Sequence, residues 1–390
     1  MNNDEIMALE DNFQLKTYRK LPIAVVKGKG SYVWDANGRK YIDFYGGHAV
    51  VLVGHCNPRV VKAINEQAKK LVFYSNIVFN DVRAQASELI IKVSPKGLSK
   101  VFFCNSGSEA NEAALKIARK FTGKDEVISM EGSFHGRTVG ALSSTGIEKY
   151  RSQIPASPNS VFAKFGDIES LRSLITGRTA AVIMEPIQGM AGIVMADEKY
   201  YLDVRELCTQ NGIVLIFDEV QSCFGRTGKM FAANHWNITP DIMTCAKGMA
   251  GGFPMGAAVI SDEIAKTISV GEQGSTFGGG PLACACAKAT IETVIDENLM
   301  ENSTSIGKYI KKRAARMKQI REVRGIGLLL GLKFESDCSG MLPLLLEKGI
   351  IAGVADVDKS VLRLMPPLTI GKADVDKLFT AISDVVGDSK

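Results

Sequence analysis

The chain has 390 residues, 46% of them hydrophobic, so it buries a large core, is expected to divide into two globular parts, and is not a disordered chain. A net charge of +5 spread over 47 basic and 42 acidic residues, with no basic block, argues against a nucleic-acid partner. The opening Met1-Asn2-Asn3-Asp4-Glu5 is acidic where a secretion signal is basic and then apolar, and no later apolar run has bilayer-spanning length, so a cytoplasmic protein with no membrane segment is expected.

From about residue 60 to 285, apolar runs of strand length alternate with helical patterns. Strands are predicted at 101–104, 127–130, 181–184, 213–217, 242–246 and 257–260; none shows clean polar alternation, as in strands covered on both faces. Helices are predicted at 109–121, where Ala113, Ile117, Ala118 and Phe121 share a face, and at 201–210. After Pro281 the texture changes to a long helical stretch reaching about 317, a β-like run at 327–332, a helix at 342–348 and a closing helix from 373. The expected fold is α/β, a large domain with a mostly parallel central sheet flanked by helices plus a smaller α+β domain. The expected division is 1–50 as a segment joining the small domain, 51–284 as the large domain and 285–390 as the small one. No CxxC pair occurs among the 8 cysteines, and His48, His55, His135 and His235 lack zinc-ligand spacing, so reduced thiols and no metal are expected.

Five stretches bear on chemistry. Asn105-Ser106-Gly107-Ser108-Glu109 follows a strand and opens a helix, where small residues bring N–H groups and hydroxyls against an anion, or simply cap the helix. Gly132-Ser133-Phe134-His135-Gly136-Arg137-Thr138 sets an aromatic and a cation in a loop after a strand end, where ligand sites collect in α/β sheets. The same residues also fit a structural use, with Phe134 in the core and His135 on a loop carbonyl.

The run 213–217 ends in Asp218, and Lys247 stands alone among apolar and small neighbours. Burial would disfavour its ammonium and leave a nucleophilic amine. A strand delivering a carboxylate, followed by a lone lysine, suits pyridoxal phosphate, whose ring nitrogen wants an anion and whose aldehyde wants an amine. Thr276 offers a hydroxyl on a Gly-rich loop. Arg363 is a charge in the apolar run 361–367, and it needs a carboxylate partner from the protein or from a substrate.

With these residues the sequence resembles the class III, ornithine-type aminotransferases of the pyridoxal-phosphate fold type I superfamily. The likeness covers nearly the whole chain, through Gly28-Lys29-Gly30, Gly54-His55-Cys56-Asn57-Pro58, 105–112, 134–138, Glu185-Pro186-Ile187-Gln188-Gly189, Asp218-Glu219-Val220-Gln221, Lys247, Gly274-Ser275-Thr276 and Arg363-Leu364-Met365-Pro366-Pro367. It implies that Lys247 anchors the cofactor, Asp218 pairs with the ring nitrogen, Gln221 bonds the phenolic oxygen and Ser106, Gly107 and Ser108 hold the phosphate. Phe134 would stack on the ring, and Thr276 would reach the phosphate of the neighbouring subunit in a homodimer with shared active sites. Arg363 would bind the α-carboxylate of glutamate and 2-oxoglutarate, and Arg137, helped by Tyr18, the far carboxylate.

The implied reaction moves the δ-amino group of N-acetylornithine or N-succinylornithine to 2-oxoglutarate, giving the N-acyl-glutamate semialdehyde and glutamate, in arginine biosynthesis. Another ω-amine donor (ornithine, 4-aminobutyrate or an acyl-lysine) and a lyase or aminomutase on the same cofactor are the alternatives, the latter disfavoured because two arginine clamps suit a dicarboxylate. Two positions depart from the family pattern. Relatives that take both ω-amino donors and glutamate commonly read Glu-Pro-x-Gln-Gly-Glu, where this chain has Met190, and His48 stands where relatives place an aliphatic or tyrosine residue.

Overall fold

The computed structural model describes residues 1–153, 155 and 159–387. Strands β1 (Val25–Lys29), β2 (Tyr32–Asp35) and β3 (Lys40–Asp43) form an antiparallel meander at the start of the chain. The large sheet contains β4 (Leu98–Cys104), β5 (Glu126–Met130), β6 (Ser160–Ala163), β7 (Thr179–Met184), β8 (Val214–Asp218), β9 (Ile242–Cys245) and β10 (Gly256–Ser261), in spatial order β4-β10-β9-β8-β7-β5-β6. Strands β6, β5, β7, β8 and β9 are parallel, while β10 runs antiparallel to both its neighbours. Every residue of β5, β7, β8 and β9 is buried, which explains their unbroken apolar runs: both faces are covered, so nothing selects for alternation.

The C-terminal part supplies β11 (Glu322–Ile326), β12 (Leu329–Lys333), β13 (Ile350–Ile351), β14 (Gly353–Val354) and β15 (Val361–Leu364). Four of these form an antiparallel sheet in the order β11-β12-β15-β14, and β13 instead pairs in parallel with β3, Ile350 opposite Ile42. The first and last parts of the chain thus share one sheet.

Several expectations change. The strand expected at 327–332 is the second arm of a hairpin; its first arm, β11, has no fully buried residue and therefore no apolar run to announce it. The helical stretch after Pro281 consists of two helices, Pro281–Asp296 and Leu299–Ala314, separated where Asn298 takes a left-handed φ of +52°. The division expected at 284 falls inside the first of these, which is unbroken and packs on the helices Pro58–Lys70 and Asp81–Val93. Among the described residues no helix is long and apolar enough to cross a membrane.

Candidate active site

The C-terminal ends of β4, β5, β7, β8 and β9 open onto one cavity of about 360 Å³, the edge at which α/β sheets present ligand-binding loops. Pairing of β8 with β9 sets Asp218 opposite Thr244, so the carboxylate closing one strand and the lysine just past the other come to the same place.

Asp218 is 4% exposed. Its Oδ2 accepts from Asn111 Nδ2 at 2.7 Å and faces His135 Nδ1 at 2.8 Å, and its Oδ1 accepts from the backbone of Val220 at 3.0 Å. Asn111 is itself held, donating to the His135 carbonyl at 2.7 Å and accepting from Thr244 Oγ1 at 2.7 Å. The loop carbonyl expected to satisfy His135 is therefore not its ring's partner: the ring goes to Asp218, because a buried carboxylate is the stronger acceptor.

Lys247 is partly buried and takes a left-handed φ of +42°, and its amine forms no hydrogen bond or ion pair among the described residues. Desolvation holds its ammonium below the ordinary lysine range; Asp218 and Glu185 oppose this and Arg363 adds to it. The neutral amine is thereby made accessible. A non-glycine residue held at positive φ carries strain, which collects at functional positions.

Glu185, just past the end of β7, is a second buried carboxyl. Its Oε2 accepts from the backbone of Phe134 at 2.9 Å and its Oε1 from that of Gly189 at 3.2 Å. Burial first, and then the charge of Asp218, push it up to about 7.

Ser106 caps the helix Gly107–Thr122, its Oγ accepting from the Glu109 backbone at 3.2 Å. The N–H groups of Gly107 and Ser108 have no partner among the described residues, so a donor pair and the positive helix end face the cavity. Ser108 Oγ accepts from the backbone of Arg137 at 3.0 Å, tying this turn to the 132–138 loop. Glycine is required at 136: φ is +141°, and a Cβ there would lie 2.1 Å from Ser108 Oγ. Phe134 lines the cavity, and Gln221, also lining it, leaves its Oε1 unpaired among the described residues.

The two arginines differ. The Arg137 guanidinium lies 3.7 Å from the Tyr150 ring centre and 5.6 Å from that of Phe134. Its expected helper Tyr18 is 83% exposed and is not in the lining; the segment that follows the first helix leaves it in solvent within one chain. Arg363 is 2% exposed with no carboxylate among the described residues: Nη2 donates to Tyr45 Oη at 3.0 Å, Nη1 approaches the Gly189 carbonyl and Met190 Sδ at 3.4 Å each, and Nε is unpaired. A buried guanidinium so placed is incomplete without an anion. Thr276 is not brought to this cavity; it is exposed in a separate groove with Asn76 and Arg83, though its neighbour Ser275 accepts from Asn105 Nδ2 at 3.2 Å.

Sequence reasoning gave no role to Asn111, to Glu185 or to Tyr45. The first was detectable as a lone amide on the apolar helical face of Ala114, Leu115 and Ala118, where a buried amide must have partners. The assembled set, a buried anion, an unpartnered amine, a free amide oxygen and a helix N-terminus, suits a flat phosphorylated aldehyde with a basic ring nitrogen.

Residues 13–386 match the family model described as aminotransferase class III. The chain is 41% identical over 393 residues to the acetylornithine aminotransferase of Methanothermobacter thermautotrophicus and 42% identical over 403 residues to that of Methanocaldococcus jannaschii, each alignment covering 100% of both chains. Among solved structures it superposes on the ornithine aminotransferase from Toxoplasma gondii with a TM-score of 0.94 at 31% identity, covering 100% of this chain and 97% of the other.

Proposed function

The chain belongs to the class III aminotransferases, pyridoxal-phosphate-dependent enzymes of fold type I that pass an amino group from an amine donor to a keto acid, and from that premise we propose that it moves the δ-amino group of N-acetylornithine to 2-oxoglutarate. The full-length likeness to acetylornithine aminotransferases supports the donor. The observation that carries the co-substrate is Arg363, a buried cation whose missing carboxylate a keto acid supplies.

Bound in the cavity, pyridoxal phosphate supplies an aldehyde to take up the amine and a ring to delocalise the electrons left on the substrate carbon. We assign the anchoring amine to Lys247, the anion for the ring nitrogen to Asp218, the hydrogen bond to the phenolic oxygen to Gln221, the phosphate to Ser106, Gly107 and Ser108, and the ring face to Phe134. Asn111 and the Val220 N–H both donate to Asp218 and fix its carboxylate toward the place of the ring nitrogen. Lys247 Nζ, whose ammonium form burial disfavours, would be the group that takes the proton from the substrate's amine-bearing carbon. Arg363 then orients the α-carboxylate of glutamate or 2-oxoglutarate and Arg137 the carboxylate at the far end, two clamps that favour a five-carbon dicarboxylate over a monoacid.

A homodimer is part of the proposal. Exposed Phe73, Tyr74, Ile77, Phe79 and Phe277 form an apolar surface beside the Thr276 groove, with Phe73 and Phe277 ring centres 5.1 Å apart. A second copy covering it would carry Thr276 toward its neighbour's cavity. A cytoplasmic location fits the free thiols of all eight cysteines. The test is a panel of amine donors scored for glutamate formed from 2-oxoglutarate. N-acetylornithine should give the highest kcat/KM; a higher value for ornithine or 4-aminobutyrate would overturn the donor assignment.

A further inference from the structure

Between β3 and Asn57 the chain passes through an unusual turn. Residues Gly46, Gly47, His48 and Ala49 all have left-handed φ, at +58°, +56°, +71° and +62°. Two of the four are not glycine, and such strain persists only where the surroundings impose it. Asp43 imposes it here: its Oδ1 accepts from the backbones of Tyr45 at 2.9 Å and Gly46 at 2.7 Å, and its Oδ2 from Gly47 at 3.1 Å and His55 Nε2 at 2.8 Å. Close packing fixes the other side, since a Cβ on Gly46 would lie 2.3 Å from the Met365 carbonyl oxygen.

The turn folds the His48 ring edge-on to Tyr45, ring centres 5.0 Å apart at 80°, with Nδ1 hydrogen-bonded to the phenolic oxygen. The Tyr45 ring rests on Gly353, where a Cβ would come within 2.2 Å of it, and Gly353 is the cross-strand neighbour of Arg363. Arg363 can only donate, so the bond from Nη2 uses a lone pair of Tyr45. The phenolic hydrogen then needs an acceptor, and His48 Nδ1 is the one within reach among the described residues. Burial, and after it the cations Lys247 and Arg363, push His48 down to about 3, so its ring is neutral near pH 7 and Nδ1 is free to accept.

We propose that Tyr45 and His48 are positioning residues that set specificity for the carboxylate-bearing co-substrate: His48 takes the Tyr45 hydrogen, which fixes the phenolic oxygen as an acceptor and holds the Arg363 fork ready for a carboxylate. Because the acceptor is a neutral hydroxyl and not a carboxylate, the positive charge of Arg363 stays uncancelled. The device therefore favours a dicarboxylate with a free α-carboxylate over an ω-amine donor that brings no carboxylate to that position. The inference rests on the reading of Arg363 as a carboxylate site.

The experiment measures binding of glutarate, an unreactive five-carbon dicarboxylate, to the purified holoenzyme by calorimetry, together with KM for 2-oxoglutarate and for N-acetylornithine. Tyr45→Phe, which leaves the turn intact, and His48→Leu should each weaken glutarate about fivefold to tenfold, the scale of one ordinary net hydrogen bond, and raise the KM for 2-oxoglutarate in parallel. The KM for N-acetylornithine should move less than about twofold, His48→Gln, whose amide oxygen can accept, should restore most of the loss, and the double variant should be no worse than either single one, since both cut the same chain of bonds. An unchanged glutarate affinity in Tyr45→Phe, or equal losses for both substrates, would overturn the inference. Arg363→Gln separates the two readings: if it leaves glutarate binding intact, the carboxylate site itself is misassigned, whereas loss there with a neutral Tyr45→Phe overturns the positioning role alone.

Discussion

Met190→Glu is the substitution that most directly probes the proposed role of Arg363 as the carboxylate site. Met190 is buried with its Sδ 3.4 Å from Arg363 Nη1. Glutamate is close to methionine in length, so its carboxylate would take the place of the sulfur. At that 3.4 Å separation two unit charges attract by about 5 kcal/mol at an effective dielectric constant of about 20. Desolvating the new carboxylate opposes most of this, leaving a net of about 1 to 2 kcal/mol, or roughly fivefold to thirtyfold in affinity. The sign differs between substrates. A donor reacting through its δ-amine brings no carboxylate to Arg363 and gains when that charge is covered, whereas glutamate must displace the new carboxylate and loses. Single-turnover absorbance changes of the bound cofactor report each half-reaction separately. The acylornithine half-reaction should quicken or bind tighter and the glutamate half-reaction should weaken; equal shifts, or none, would refute this reasoning and leave Met190 as a packing residue.

Two other perturbations follow. Asp218→Asn should leave the fold intact, because Asn111 and His135 can re-pair with an amide, while lowering kcat about a hundredfold or more through loss of charge where it is needed in the transition state; near-normal turnover would count against the ring-nitrogen pairing. Glu185 is raised from 4.5 to about 7, so its protonated form favours the folded state: that stability is fully present below pH 4.5 and is lost as pH rises through 7, a loss of about 3 kcal/mol in the fully ionised limit. Urea unfolding of the cofactor-free protein should show this decline between pH 5 and pH 8, and Glu185→Gln should flatten it; parallel profiles would disprove the cause.

The core of the large sheet was readable because β7, β8 and β9 are buried on both faces and say so in unbroken apolar runs. What those runs do not encode is direction, so the antiparallel setting of β10 was not readable from them. The two-residue strand β13, which ties the C-terminal part to β3, is too short to leave any pattern. At the site, Asp218 and Lys247 stand out because each breaks an apolar stretch. Glu185 follows directly on the apolar run of β7 as Asp218 closes that of β8, so the same argument would have found it. Tyr45 carried no such signal: its position depends on the left-handed turn at 46–49 and on Gly353, more than three hundred residues away in the chain, which only the folded structure brings together.

The central claim is that Lys247 is the amine that holds the cofactor, and borohydride reduction tests it most directly. The purified protein should be yellow, lose that colour on reduction, and yield after proteolysis one peptide heavier by the pyridoxyl group, with the added mass on Lys247. The same mass on any other lysine, or no retained mass at all, would contradict the assignment.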